Sequence, residues 1–462
     1  MRLTGLVRRA ALLLCLVGTV PAAMAGNPVS QDMPDIALSR HPEGRWAVRY
    51  VLPVPARQLV FVRADARGTR ARDWTALDPD FQLVVENGVE VVRRRDGAPF
   101  TQAVFTMPTR YVTLDKDYAP FAPFGDGGLL VHSGRFHACA ERCPEVGMGR
   151  PVRWRVRLMP SAGEHAIVGG QVVAAVDFLD GDDGTSLYVG KATPVETADV
   201  LAVIDQAMPD GIRQRLQSLL PRLMALYARE LGALQAKPML FASRDAAHPG
   251  GGYGYQGGTL PGQVFMHIYG DHPAFATPAF AARMDAFFAH EAAHMYQHYP
   301  ATDQAASWIH EGGADALAAV ALQQLGESDP AAVGVRLRDA RDSCATSLAA
   351  GPLAEAGERG DFDAYYRCGF VLQMAVDAAV RRASGGQCGQ CGLFCVWRDF
   401  QARVRGGAPW TGATFIEAAR QRGGDGAADF LMAVTDGKPD NPAALLADGM
   451  AAAGLPPAPP KN

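Results

Sequence analysis

The spacing of apolar residues changes once along this 462-residue chain, and that change limits the folds open to it. Over residues 35–190 the repeat is close to two. The segment VRWRVRL at 152–158 alternates apolar and basic side chains, as a strand with one wet face does. In FQLVVENGVEVV, Asn87-Gly88 separates two apolar runs, the strongest short hairpin signal. Several such runs with turn clusters between them predict an antiparallel β domain. Beyond KATPVETAD the repeat lengthens. IRQRLQSLLPRLMALYARELGAL carries its leucines and Met224 three to four apart, giving an amphipathic helix that Pro221 can kink. KPMLFAS at 237–243 and QVFMHIYG read as short strands around a glycine-rich loop, HPGGGYGYQGGTLPG. From Thr277 onward helices dominate, ending in a disordered tail, GLPPAPPKN. The expected class is therefore α+β, with sheets first and helices last. There is no internal repeat.

The first residues read as a leader rather than as structure. MRLTGLVRRAALLLCLVGTVPAAMAG has a basic start, an apolar run at 10–20 and a small-x-small cleavage site at Ala23-Met24-Ala25. Cys15 lacks the preceding small residue of a lipoprotein signal. An exported chain, periplasmic or secreted, is expected to begin near Gly26. No later stretch offers the roughly 18 consecutive apolar residues of a membrane span. The pattern divides the chain into a leader at 1–25, a β domain at 26–192, a mixed unit at 193–330, a helical lobe at 331–454 and the tail at 455–462.

Charge excludes some partners. The formal net charge is −4, with no basic run for nucleic acid and no polybasic amphipathic helix for a membrane surface. Peptides or small polar molecules remain as partners. Cysteine usage fits export. Cys139, Cys143, Cys344, Cys368, Cys388, Cys391 and Cys395 follow the leader, and in an oxidising compartment most of them should be paired. CAERC can close a local loop and Cys344 can tie to Cys368. CGQCGLFC has zinc-like spacing, but outside the cytosol it reads as disulfides.

Residues 287–317, FFAHEAAHMYQHYPATDQAASWIHEGGADAL, concentrate the chemistry. Thr277-Pro278 is a helix start, with a capping hydroxyl followed by proline in the first turn. On that helix His290 and His294 lie one turn apart on one face, where two imidazoles can grip one zinc ion. Glu291 beside them can act as general base towards water on the metal, the H-E-x-x-H arrangement. The bland alternative is a helix face of solvated or core histidines. A catalytic zinc needs a third protein ligand and an open position. Glu311, seventeen residues after His294 on the next helix, can supply the ligand. Asp315, one turn further, can accept the spare N–H of a ligand histidine. Gly312-Gly313 costs about 1 kcal/mol per glycine in a helix, so this helix should press its backbone against a neighbour. His298 and His310 compete for the ligand role. His298 would require three ligands from one straight helix and reads as a surface residue. His310 points away if Glu311 binds metal and could donate to a substrate.

H-E-x-x-H followed by WIHEGGADA resembles the gluzincin metallopeptidases, in particular the aminopeptidase N-like and thermolysin-like branch. The match carries the tryptophan, the ligand glutamate, the glycine and the alanine in that family's register, over residues 265–434. It implies a thermolysin-like zincin catalytic domain completed by the helical lobe, Zn2+ held by His290, His294 and Glu311, and peptide hydrolysis with Glu291 as base. YYRCGFVLQMAV resembles the family's Y-x-x-G helix start, aligning Tyr366 and Gly369, and the tyrosine stabilises the oxyanion in relatives. In the aminopeptidase branch a glycine-rich edge strand carries a glutamate that binds the substrate's free amine. GGYGYQGGTLPGQVFMHIYG contains no glutamate, so the resemblance stops short of that acid. The reading from another class is an exported binding protein that keeps a peptidase scaffold without its activity. The sequence leaves the substrate and the oligomeric state open.

Overall fold

The computed structural model describes residues 33–63, 67–114, 117–144, 152–248, 252–298, 306–385 and 392–455. The leader-like residues 1–25, the end of the chain, Cys388 and Cys391 lie outside these residues.

Among the described residues, the N-terminal part forms three sheets. In the largest, Trp46–Ala56 lies between Asp35–Arg40 and Phe100–Met107, antiparallel to both. Asp35–Arg40 then pairs in parallel with Trp154–Leu158, the one departure here from an all-antiparallel pattern among the described residues. The Asn87-Gly88 hairpin forms as the sequence indicates. Phe81–Glu86 pairs with Val89–Arg94, and φ is 52° at Asn87 and 78° at Gly88, the left-handed values a two-residue turn needs. In Trp154–Leu158 the apolar residues are buried and the arginines face outward, so the alternation placed this strand's inner face correctly.

From residue 195 the chain builds a mixed sheet of β1 (Val195–Glu196), β2 (Leu201–Ile204), β3 (Met239–Asp245), β4 (Gly254–Leu260) and β5 (Gln263–Tyr269), in the order β1-β2-β3-β5-β4. Strands β2, β3 and β5 run parallel, and β4 forms the antiparallel edge. The parallel strands are apolar almost throughout, as strands buried on both faces must be. Helix α1 (Asp210–Leu231) crosses between β2 and β3 and buries Leu216, Leu219, Leu220, Leu223 and Tyr227, with Pro221 inside it. Then follow α2 (Pro278–Gln297), α3 (Ser307–Gln324), α4 (Pro330–Ala350), α5 (Asp363–Ala383), α6 (Gly392–Arg405), α7 (Gly412–Gly423), α8 (Asp425–Thr435) and α9 (Pro442–Ala453). Among the described residues no helix is long and apolar enough to cross a membrane.

One apolar core runs through the mixed sheet and the helices, and another fills the N-terminal sheets. A third joins them: Tyr111, Phe124, Ile167 and Tyr188 pack against Leu201, Val203, Phe241 and Phe265 on the mixed sheet. Polar contacts reinforce this junction at the edge strand. Tyr118 donates to the Thr259 carbonyl at 2.9 Å, and Gln256 of β4 donates to the Leu114 carbonyl at 3.2 Å.

Two disulfides match the expected local pairs. Cys139 joins Cys143, and Cys344 of α4 joins Cys368 of α5. Cys395 is also disulfide-bonded.

Candidate metal centre

Helix α2 starts where the sequence signals it. The Thr277 hydroxyl accepts from the Phe280 N–H at 3.2 Å, and Pro278 opens the first turn. The helix ends at Gln297, and His298 turns left-handed with φ 51°. That turn takes His298 out of the helical repeat and onto the surface. Tyr227 of α1 donates to the Ala289 carbonyl at 2.8 Å, holding the helix just before His290.

His290 and His294 face one side, with their Nε2 atoms 3.0 Å apart. Helix α3 brings Glu311 to them. Its Oε2 lies 3.6 Å from His290 Nε2 and 3.4 Å from His294 Nε2. A tetrahedral zinc with bonds near 2.0–2.1 Å separates neighbouring donors by roughly 3.3 Å, so these three atoms already stand at that spacing. Among the described residues, no other trio of His, Cys, Asp or Glu side chains clusters in this way. The charges agree. Glu291, Glu311 and Asp315 gather around two imidazoles, with Arg336 the cation paired to Asp315, an excess of negative charge that suits a divalent cation. The donor set fits zinc.

The outer nitrogens of both histidines are occupied. His290 Nδ1 lies 3.0 Å from Asp315 Oδ1, as the one-turn spacing from Glu311 implies. His294 Nδ1 lies 2.7 Å from Gln297 Oε1, and the Gln297 amide donates to the His310 carbonyl at 2.8 Å. Gln297 is fully buried. The sequence reading passed over it, although its three-residue offset from His294 puts it on the same helical face.

Glycines let α3 come so close. A Cβ on Gly312 would meet the Gly369 backbone of α5 at 2.3 Å, and one on Gly313 would meet the Trp397 ring at 2.6 Å. This is the close neighbour that the helical Gly-Gly pair implied. The same crossing brings Tyr366 of α5 to the site, its ring nearly parallel to that of His290 with centroids 6.2 Å apart. Tyr365 turns the other way: it is buried, and its hydroxyl accepts from the Gly357 N–H at 2.9 Å.

A cleft of about 1100 Å3 opens over these groups, lined among others by Thr259, Glu291, Tyr366, Gln401, Arg405 and Trp410. The Thr259 hydroxyl of edge strand β4 donates to the Glu291 carboxylate, a contact across the sheet edge that the sequence does not reveal. His310 stacks on His294 with centroids 4.0 Å apart, and its Nδ1 lies 3.2 Å from Glu311 Oε1.

Burial pushes the Glu311 carboxyl up, but hydrogen bonds from His290, His294 and His310 outweigh it and hold the group well below the carboxylate range. Burial lowers the His290 pKa, yet its bonds to Asp315 and Glu311 carry it up to about 10. Burial, with the Glu311 charge beside it, pushes the Tyr366 phenol well up. Tyr366 therefore keeps its proton at neutral pH and is a hydrogen-bond donor there.

No family model and no curated protein matches the sequence. Solved structures do match. An aminopeptidase N family protein from Idiomarina loihiensis aligns over 88% of this chain and 77% of its own, at 12% identity and a TM-score of 0.58. An M1 zinc metallopeptidase from Deinococcus radiodurans aligns over 88% and 94%, at 15% identity and a TM-score of 0.44. Native yeast LTA4 hydrolase aligns over 97% and 73%, at 12% identity and a TM-score of 0.47. The first likeness establishes a shared fold, β domain and helical domain in the same arrangement.

Proposed function

We propose that this chain is an exported, zinc-dependent peptidase. The observation that carries the reading is the convergence of His290, His294 and Glu311 at tetrahedral donor spacing, with Glu291 and Tyr366 in the same cleft. Its fold, shared with an aminopeptidase N family protein, supports the same conclusion. The leader-like start and the disulfides support export.

His290, His294 and Glu311 would hold the ion, and Asp315 and Gln297 fix the two imidazole rings by accepting hydrogen bonds from their Nδ1–H groups. When bound, zinc supplies Lewis-acid chemistry, polarising a carbonyl and acidifying water. Glu291 takes the proton of the attacking water and delivers it to the leaving amine. Tyr366 donates its phenolic proton in a hydrogen bond to the carbonyl oxygen as that oxygen gains charge. Thr259, bonded to the Glu291 carboxylate, orients the base towards the cleft.

The test is metal analysis together with digestion of a proteome-derived peptide library. One zinc per chain and peptide cleavage that Glu291→Gln abolishes are expected. A protein that takes up zinc stoichiometrically and cleaves nothing would leave only a binding role.

A further inference from the structure

Within the peptidase reading, the charges lining the cleft specify the kind of substrate it takes. The only acids lining it, among the described residues, are Glu291 and Glu311, both committed to the reaction centre. Edge strand β4, GYQGGTL, adds none. The nearby Asp117 is already bound by Arg63 and Arg135. Among the described residues no carboxylate is left there to receive a substrate ammonium group.

The cleft does hold a cation. Arg405 ends helix α6, lines the cleft and is exposed to solvent. No ion pair or hydrogen bond engages its guanidinium among the described residues. Its neighbour in the chain, Arg403, differs in donating to Gln421 Oε1 at 2.8 Å. His298 stands beside Arg405 in the same wall. Burial, and then the Arg405 charge, lower its pKa, so the imidazole is neutral at pH 7 and adds a hydrogen-bonding group without charge. A planar, permanently charged fork of donors on a cleft wall matches the geometry of a carboxylate.

We infer that Arg405 is a specificity-determining residue that binds a carboxylate of the peptide substrate, so that the cleft selects anionic peptides. The carboxylate comes from an acidic side chain or from the substrate's C-terminus, and the two are separable by experiment.

The experiment measures affinity, so it does not depend on turnover. Zinc-loaded Glu291→Gln protein is titrated calorimetrically with amino-acetylated peptides of alanine and glutamine. One arm compares a C-terminal carboxylate with a C-terminal amide. The other places a single Glu, Gln or Lys at each position in turn. One carboxylate should bind about tenfold more tightly than its neutral counterpart. Adding Arg405→Gln should bring that ratio to about one, Arg405→Lys should keep part of it, and Arg403→Gln should leave it intact. The proposal is overturned if no carboxylate is preferred, if lysine is preferred, or if the preference survives Arg405→Gln. Failure of the peptidase reading is a separate result: absence of cleavage products from wild-type digests, whatever the affinity ratio.

Discussion

Gly312 and Gly369 lie backbone against backbone, with 2.3 Å between the place of a Gly312 Cβ and the Gly369 Cα. The crossing of α3 and α5 therefore holds Glu311 and Tyr366 at a fixed mutual distance. Alanine at either glycine has to push two helices apart, because the obstruction is backbone with no rotamer to yield. Gly312→Ala and Gly369→Ala should each cost about 1–3 kcal/mol or more, read as a lowered Tm, and should loosen zinc binding. Gly412→Ala is the control. Its nearest obstacle is the Trp308 indole nitrogen at 3.8 Å, and its stability should stay within about 0.5 kcal/mol of the parent.

Loss of a ligand and loss of the base should separate cleanly. His290→Ala, His294→Ala and Glu311→Ala each leave two protein donors, too few to retain a catalytic zinc, so metal analysis should show both zinc and turnover lost. Glu291→Gln removes no ligand. It should keep full zinc and lose about two to four orders of magnitude in kcat. Full zinc occupancy in Glu311→Ala would move the third ligand elsewhere.

Gln297 should matter to the metal rather than to substrate. Its amide oxygen fixes the His294 ring while its NH2 satisfies the His310 carbonyl. Gln297→Ala should weaken zinc affinity about 10- to 100-fold, measured by competition with a chelator. Unchanged affinity would mean that the His294 ring is held by packing alone.

The two adjacent tyrosines should behave oppositely. Tyr366→Phe should lower kcat about a hundredfold with zinc content and KM little changed, because the hydrogen bond strengthens only as charge develops. Tyr365→Phe should leave kcat alone and lower stability by about 1 kcal/mol, since it removes the acceptor of the Gly357 N–H. Exchange of the two behaviours would place the oxyanion donor one residue earlier.

A free amino terminus should not be required of the substrate. The edge strand offers no acid, and the two acids that line the cleft among the described residues are taken. Paired assays of one peptide with free and acetylated amino termini decide this. Cleavage of the free form alone would point to another carboxylate.

What the sequence revealed was what local geometry enforces. Asn87-Gly88, Thr277-Pro278 and the four-residue spacing of His290 and His294 act within a turn or two of chain, and each appears in place. Glu311 and Asp315 were legible for the same reason, being one turn apart on one helix. Contacts across long stretches of chain were not. Asp35–Arg40 pairs in parallel with Trp154–Leu158 more than a hundred residues away, and no periodicity encodes that choice. Thr259 reaches Glu291, and Arg405 enters the cleft, only because separate elements fold together. Gln297 was within reach by spacing, but a buried glutamine does not resemble a metal-site residue until its partners are known.

Two hydrogen bonds, from the Tyr118 hydroxyl to strand β4 and from Gln256 of β4 to the Leu114 carbonyl, have a consequence for the integrity of the chain. Among the described residues, strand β4 pairs with β5 on one side only. The N-terminal domain meets it through the Tyr118 hydroxyl, which donates to the Thr259 carbonyl, and through the Leu114 carbonyl, which accepts from the Gln256 side chain. A fragment lacking that domain would bare a glycine-rich strand edge, a ready template for pairing with another copy. A fragment without the β domain should therefore aggregate more readily than the full chain, which light scattering would show.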